Sequence, residues 1–254
     1  MKLMINGDDF GFSPGQNLGI MKAHAKGILT STSVMANGEY LEEALTLAKP
    51  YPDLAIGVHL LIDCGAPILP INQIKTLVDD QGLFLKHKKD SHIDVNHDEV
   101  FLEWCAQIDK IISLGITPTH IDGHHHMHLH PSLLTITLKV AKKYQLPMRY
   151  FPFYHGEKET QLVKDSGAKV YTCLTEFYQE GVNEDYFESF SKNHITKNDE
   201  ILEVMCHPAY VDDIIYLKSS YNIHRIKELV VLISPKVKNS IVAQRITLVN
   251  PKNF

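Results

Sequence analysis

Only 4 cysteines occur in the 254 residues, at positions 64, 105, 173 and 206, and no two of them form a C-x-x-C pair. A zinc ribbon or a disulfide framework needs closely spaced, paired thiols, so the cysteine pattern argues against both. Long apolar runs are lacking as well. The longest, "LVVLI" at 229–233, is far short of the roughly 20 residues that span a bilayer. There is no excess of positive charge: 25 Lys and Arg stand against 30 Asp and Glu, a formal charge of −5, which is no footprint for a nucleic-acid partner. The basic stretch "KHKK" at 86–89 is short and runs into Asp90, so it makes no patch for a membrane surface. The opening "MKLMINGDDFG" has no apolar h-region and no cleavage site, unlike a secretory signal. These absences lead us to expect a reduced, cytoplasmic protein with neither a nucleic-acid nor a membrane partner.

What is present is an ordinary globular composition, 44% hydrophobic and 22% charged, with enough apolar material for a sizeable core. Short apolar runs alternate with amphipathic ones. Strands are expected at 2–6, 30–37, 54–60, 118–122, 147–151, 169–173, 201–207 and 245–249. Between them a helix is expected over 97–114, where Val100, Phe101, Trp104, Ile108, Ile111 and Ile112 recur at helical spacing and Gly115 ends the run. Pro131 is expected at the first position of the next helix. Seven or eight strands alternating with helices imply parallel β/α units, either a barrel or an open doubly wound sheet. No G-x-G-x-x-G follows the first strand, so dinucleotide binding has no support. In both architectures ligands bind at the carboxyl ends of the strands. Segment 61–96 breaks the rhythm: it is long, polar and poorly periodic, and it follows a strand end, as a functional loop does.

The chemistry-bearing residues gather at those strand ends. The first strand leads into Asp8 and Asp9, the third carries His59, the fourth runs into "HIDGHHHMHLHP" and the seventh ends at His207. Along 54–60, Leu54, Ile56, Val58 and Leu60 alternate to one face, and Ala55, Gly57 and His59 take the other. Small neighbours there leave room beside His59 for a ligand. The bland alternative is a core histidine bonded to backbone. Six of the 15 histidines fall between 120 and 130. An extended backbone would point His120, Asp122, His124, His126, His128 and His130 one way, whereas a helix would pair His124 with His128. Either could present imidazoles to a cation, with Asp122 available to orient one of them. A tag-like tract that binds metal adventitiously is the alternative. Of the pair Asp8–Asp9, one can ligate metal while the other holds a water, or Asp9 can cap a turn before Phe10 and Gly11.

The blocks "INGDDFGFSPGQNLGIMKAHAKGILTSTSVMANG", "LAIGVHL", "PTHIDGHHHMH" and "LEVMCHPAYVD" resemble the YdjC-like carbohydrate deacetylases, and more closely the ChbG-type chitooligosaccharide deacetylases. The resemblance runs from residue 3 to about 249. It implies a single domain over 1–254 with a distorted β/α barrel of about seven parallel strands; segment 61–96, expected as a long active-site loop insertion, is the region that differs most from those relatives. It also implies one divalent cation and removal of N-acetyl groups from short chitin-derived sugars such as diacetylchitobiose or its 6-phosphate. By this resemblance Asp9, His59 and His124 are the metal ligands, Asp8 the catalytic base and His207 the general acid. Arg149 in "MRYFP" is similar to an arginine that orients the base in the wider polysaccharide deacetylase group. His126 and His128 resemble accessory site residues, and Asp122 stands beside them as a partner for a ligand histidine. The ligand set permits Zn²⁺, and family practice often assigns Mg²⁺. A homodimer is compatible with the sequence.

Two other functions use the same residues. A metal-dependent hydrolase could act on a phosphoester, although the sequence has no P-loop and no second carboxylate-rich cluster. A sugar-binding or metal-sensing protein could keep the fold without turnover. His120, His125 and His130 have no assigned role in any of these readings.

Overall fold

The computed structural model describes residues 1–87, 93–152, 155–194 and 200–253. Among the described residues eight strands follow in order: β1 (Lys2–Phe10), β2 (Ser31–Val34), β3 (Ala55–Leu60), β4 (Ile121–Gly123), β5 (Met148–Tyr150), β6 (Val170–Leu174), β7 (Ile201–Cys206) and β8 (Thr247–Leu248). Each lies within or beside a run expected from alternation. Hydrogen bonding orders them β2-β3-β4-β5-β6-β7-β1-β8, and β1 also pairs with β2. Seven parallel strands thus close into a barrel, with β8 added outside on β1. Closure decides between the two architectures left open by the sequence.

The helices are α1 (Pro14–Lys26), α2 (Leu41–Ala48), α3 (His97–Ser113), α4 (Leu134–Tyr144), α5 (Glu157–Ser166), α6 (Glu184–Glu188), α7 (Phe190–Asn193), α8 (Asp213–Lys218), α9 (Ile223–Leu232) and α10 (Pro235–Ala243). By its contacts the chain divides into two compact units, residues 1–34, 39–55 and 171–254, and residues 35–38 and 56–170.

In the first unit, β1 is buried along nearly its whole length and pairs with β2, β7 and β8. Helix α1 starts sharply because Ser13 caps it, its hydroxyl accepting from the Gln16 N–H at 3.1 Å, and Pro14 stands in the first turn. Such a cap contributes about 0.5–2 kcal/mol. Two glycines of α1 let the segment after β7 come close. A Cβ at Gly15 would lie 1.9 Å from the Tyr210 carbonyl oxygen, and one at Gly19 2.3 Å from that of Pro208. The segment that begins with His207 is therefore seated directly on α1.

In the second unit, Asn96 caps α3, accepting from the Asp98 N–H at 2.9 Å. The helix buries Val100, Trp104, Ile108 and Ile111 as expected, but Phe101 is only half-buried and Ile112 is exposed. Their places on the inner face are taken by Glu103 and Gln107, both fully buried. These two organise segment 61–96. Glu103 accepts from the N–H groups of Ile68 and Leu69, each at 2.9 Å, and Gln107 both donates to and accepts from Leu61. Burial raises the Glu103 carboxyl above its ordinary range. The segment is irregular, as its pattern implies, yet Ile74, Leu77, Val78 and Phe84 pin it by burial. Its residues 88–92, and with them half of the short basic stretch, lie outside the described residues. Pro131 does not open α4. It stands in the turn before it, where the His130 carbonyl accepts from both Leu133 and Leu134, and the helix begins at Leu134.

Candidate functional site

Asp8 and Asp9 sit in a bulge near the end of β1. Between Gly7 and Phe10, β1 advances three residues while β2 advances from Thr32 to Val34. An extra residue of this kind bends a strand and re-aims its side chains. Asp9 takes φ +65°, a left-handed conformation that non-glycine residues adopt mainly where the surroundings impose it. Both carboxylates are buried. Asp8 Oδ1 accepts from the Asn6 amide at 2.8 Å, and Asp9 Oδ2 accepts from Arg225 Nη2 at 2.9 Å. Asp9 is therefore a charge-paired side chain at the strand end, and its backbone carbonyl accepts from Phe12 as a turn would have it.

His207 follows β7 and is partly open. Its backbone N–H donates to Glu228 of α9, and its Nδ1 lies 3.9 Å from Glu228 Oε1. Tyr221 donates to the same carboxylate at 2.5 Å and stacks on Tyr178 with ring centroids 4.3 Å apart. Both tyrosine rings stand edge-on to the His207 imidazole. Burial, with the Glu228 charge adding to it, pushes both phenols upward, so they remain donors at any working pH.

In the other unit, β3, β4 and β5 contribute a chain of three buried groups. His59 Nδ1 lies 2.8 Å from Asp122 Oδ1, and Asp122 Oδ2 lies 2.9 Å from Arg149 Nη2. A carboxylate at Nδ1 is the arrangement that orients a metal-binding imidazole toward a cation through Nε2. The His124 ring stands edge-on to it, with centroids 5.5 Å apart.

The backbone of the histidine run is neither of the forms weighed from the sequence. Strand β4 stops at Gly123, and 124–129 coil in a tight 3₁₀ turn interrupted at His125 and His126, whose φ angles are +49° and +59°. Parity is lost, and the rings disperse. His124 turns toward His59, exposed His125 bonds Asp63 through Nδ1 at 2.6 Å, and His126 packs on Phe151. His128 is fully buried, and that burial lowers its pKa to about 3. His120 corrects another expectation. A Cβ at Gly57 would lie 2.5 Å from the His120 ring. The space beside that glycine thus holds an imidazole of the protein itself, one bonded to Thr119 at 2.9 Å.

Among the described residues, Asp9, His59 and His124 form an Asp/His cluster that could hold a metal ion, each offering one ligand atom within 4.8 Å of the others; Asp8, His59 and Asp122 meet the same condition. Arg225 and Glu228 went unnoticed in the sequence. The available signal was a charged pair at buried-face spacing, since Arg225, Glu228, Leu229 and Leu232 lie on the inner side of α9.

A parallel β/α barrel with carboxylates and imidazoles at its strand ends carries the donor types that metal-assisted hydrolysis uses, on the face where barrel enzymes place their sites. Residues 2–243 match the family model described as YdjC-like protein, and the chain belongs to that family. It is 38% identical over 251 residues to a carbohydrate deacetylase of Brevibacillus brevis, covering 98% of each chain. It is 37% identical to a carbohydrate deacetylase of Clostridium beijerinckii, covering 100% of each. An Enterococcus faecalis crystal structure, described as that of a candidate cellobiose-phosphate cleavage protein, superposes with a TM-score of 0.91 at 36% identity, covering 99% of this chain and 98% of the other. A lactam utilization protein of Thermus thermophilus shares the fold, with a TM-score of 0.57 at 14% identity. Among the described residues no helix is long and apolar enough to cross a membrane.

Proposed function

We propose that the chain, a carbohydrate deacetylase and hence a hydrolase by its family, removes N-acetyl groups from short chitin-derived oligosaccharides. The observation that carries this reading is the Asp9, His59 and His124 donor group in a chain aligned end to end with carbohydrate deacetylases. One carboxylate and two imidazoles suit Zn²⁺ and, with water completing the shell, Mg²⁺. The Nδ1 bond of His59 to Asp122 is the carboxylate partner that ligand histidines commonly have. When bound, the cation supplies an acidified water and polarises the acetamide carbonyl.

The remaining chemistry belongs to side chains of this protein. Asp8, oriented by Asn6, is the base that takes the proton of the attacking water. His207, backed by Glu228, donates a proton to the departing sugar amine, which leaves poorly as an anion. Arg149 acts on the site through Asp122, and Asp122 through His59. His126 and His128 shape the surroundings, and segment 61–96 forms a loop bordering the substrate in one catalytic domain. Membership of the ChbG-type group, with diacetylchitobiose or its 6-phosphate as substrate, rests on the four sequence blocks. The description of the Enterococcus relative makes the phosphorylated disaccharide worth testing.

The test uses chelated protein re-supplied with Zn²⁺ or Mg²⁺ and given N,N′-diacetylchitobiose or its 6-phosphate, with acetate and phosphate both assayed. Metal-dependent acetate release supports the reading. Phosphate release without acetate points to a phosphoester hydrolase. Neither product, with a cation bound, points to a sugar- or metal-binding role.

A further inference from the structure

Asp8 and Asp9 are adjacent and buried, at 1% and 2% exposure. Buried carboxylates need polar or charged partners in place of the water they have lost. Asp8 has the Asn6 amide, and Asp9 has Arg225, a helix residue only 4% exposed. Its guanidinium is committed on every side. Nε donates to the Tyr221 carbonyl at 2.7 Å, Nη1 to Gln16 Oε1 at 2.7 Å, and Nη2 to Asp9 Oδ2 at 2.9 Å and to Ser219 Oγ at 3.2 Å. Gln16 in turn donates to the Asp8 carbonyl at 3.0 Å. The arginine therefore grips both the Asp9 carboxylate and the bulge that carries it. It also packs against the rings of Phe12 and Tyr221.

We propose that Arg225 is a positioning residue for the cation site, the resident countercharge of Asp9. It binds Oδ2 and holds the Asp9 carboxylate aimed while no cation is present. The proposal rests on the reading of Asp9 as a metal ligand. Two consequences separate it from a purely architectural role. Without the guanidinium, the metal-free protein is the more damaged state, because the buried Asp9 carboxylate loses its bond to a cationic side chain. A bound cation then repairs more than it does in the wild type. The Coulomb repulsion between guanidinium and cation also disappears, so cation affinity rises, by roughly tenfold.

The experiment compares wild type, Arg225→Met, Arg225→Lys and Asp9→Asn, measuring the Zn²⁺ dissociation constant and Tm with and without Zn²⁺. The proposal expects Arg225→Met to have a lower metal-free Tm, a larger Zn²⁺-induced rise in Tm and tighter Zn²⁺ binding. Arg225→Lys, which retains the charge, should return all three toward wild type. If Arg225→Met folds only when Zn²⁺ is supplied, that also supports the proposal. Equal losses of Tm with and without Zn²⁺, weaker Zn²⁺ binding, or a failure to fold that Zn²⁺ does not rescue would overturn it. Asp9→Asn separates this failure from that of the underlying reading. If Asp9→Asn binds Zn²⁺ as the wild type does, Asp9 is no ligand. If it loses Zn²⁺ while Arg225→Met is unchanged, only the role of Arg225 falls.

Discussion

His59 holds its Nδ1 against Asp122 at 2.8 Å, with neither side chain open to solvent. The other oxygen of Asp122 takes Arg149. An imidazole held this way has a fixed tautomer and a fixed ring plane, and its Nε2 is the more basic for the carboxylate behind it. Replacing Asp122 with Asn keeps the shape but removes the charge. Asp122→Asn should weaken Zn²⁺ binding by about 10–100-fold, measured by competition with a chromogenic chelator. Wild-type affinity in this variant would mean that His59 does not ligate the cation.

Gly19 has no room for a methyl group, because the Pro208 carbonyl and Ala209 backbone lie where a Cβ would be. Backbone cannot rotate aside as a side chain can. Gly19→Ala should cost about 1–3 kcal/mol in urea unfolding and displace the segment that follows His207. The expected kinetic result is a reduced kcat with unchanged Zn²⁺ stoichiometry.

His128 gives the metal-free protein a pH dependence of known sign. An unfolded imidazole takes up its proton near pH 6.5, whereas in the folded protein burial holds His128 neutral down to about 3. Between those values the unfolded chain binds the extra proton. The contribution of this group to stability is thus complete above pH 6.5 and is lost as the pH falls, by about 1.4 kcal/mol per pH unit. Urea unfolding between pH 7 and 5 should show this slope, and His128→Gln should flatten it by about one proton. An unchanged slope would mean that His128 is already protonated in the fold.

Much of the architecture was legible because it depends on period and punctuation. The eight apolar runs became β1 to β8, and Asn96 and Gly115 bracket α3 as their residue types suggest. The placement of Asp8, Asp9, His59 and His207 at or just past strand ends was legible because acids and imidazoles at the ends of apolar runs are uncommon. The histidine run was not, because its conformation depends on two left-handed residues that no spacing rule anticipates. The packing of His120 on Gly57 was hidden for a different reason: a glycine advertises space without saying what fills it. Arg225 and Glu228 resemble an ordinary solvent-facing ion pair of α9 until their register with Leu229 and Leu232 is noticed.

The central claim is that Asp8 is the base of a metal-dependent deacetylation in which it is not needed to hold the cation. The most direct test measures, on one preparation of Asp8→Asn, both Zn²⁺ stoichiometry by equilibrium dialysis and acetate release from N,N′-diacetylchitobiose and its 6-phosphate. The account predicts one equivalent of Zn²⁺ bound and acetate release lowered by about 10²-fold or more. Near-native acetate release from the variant would contradict it.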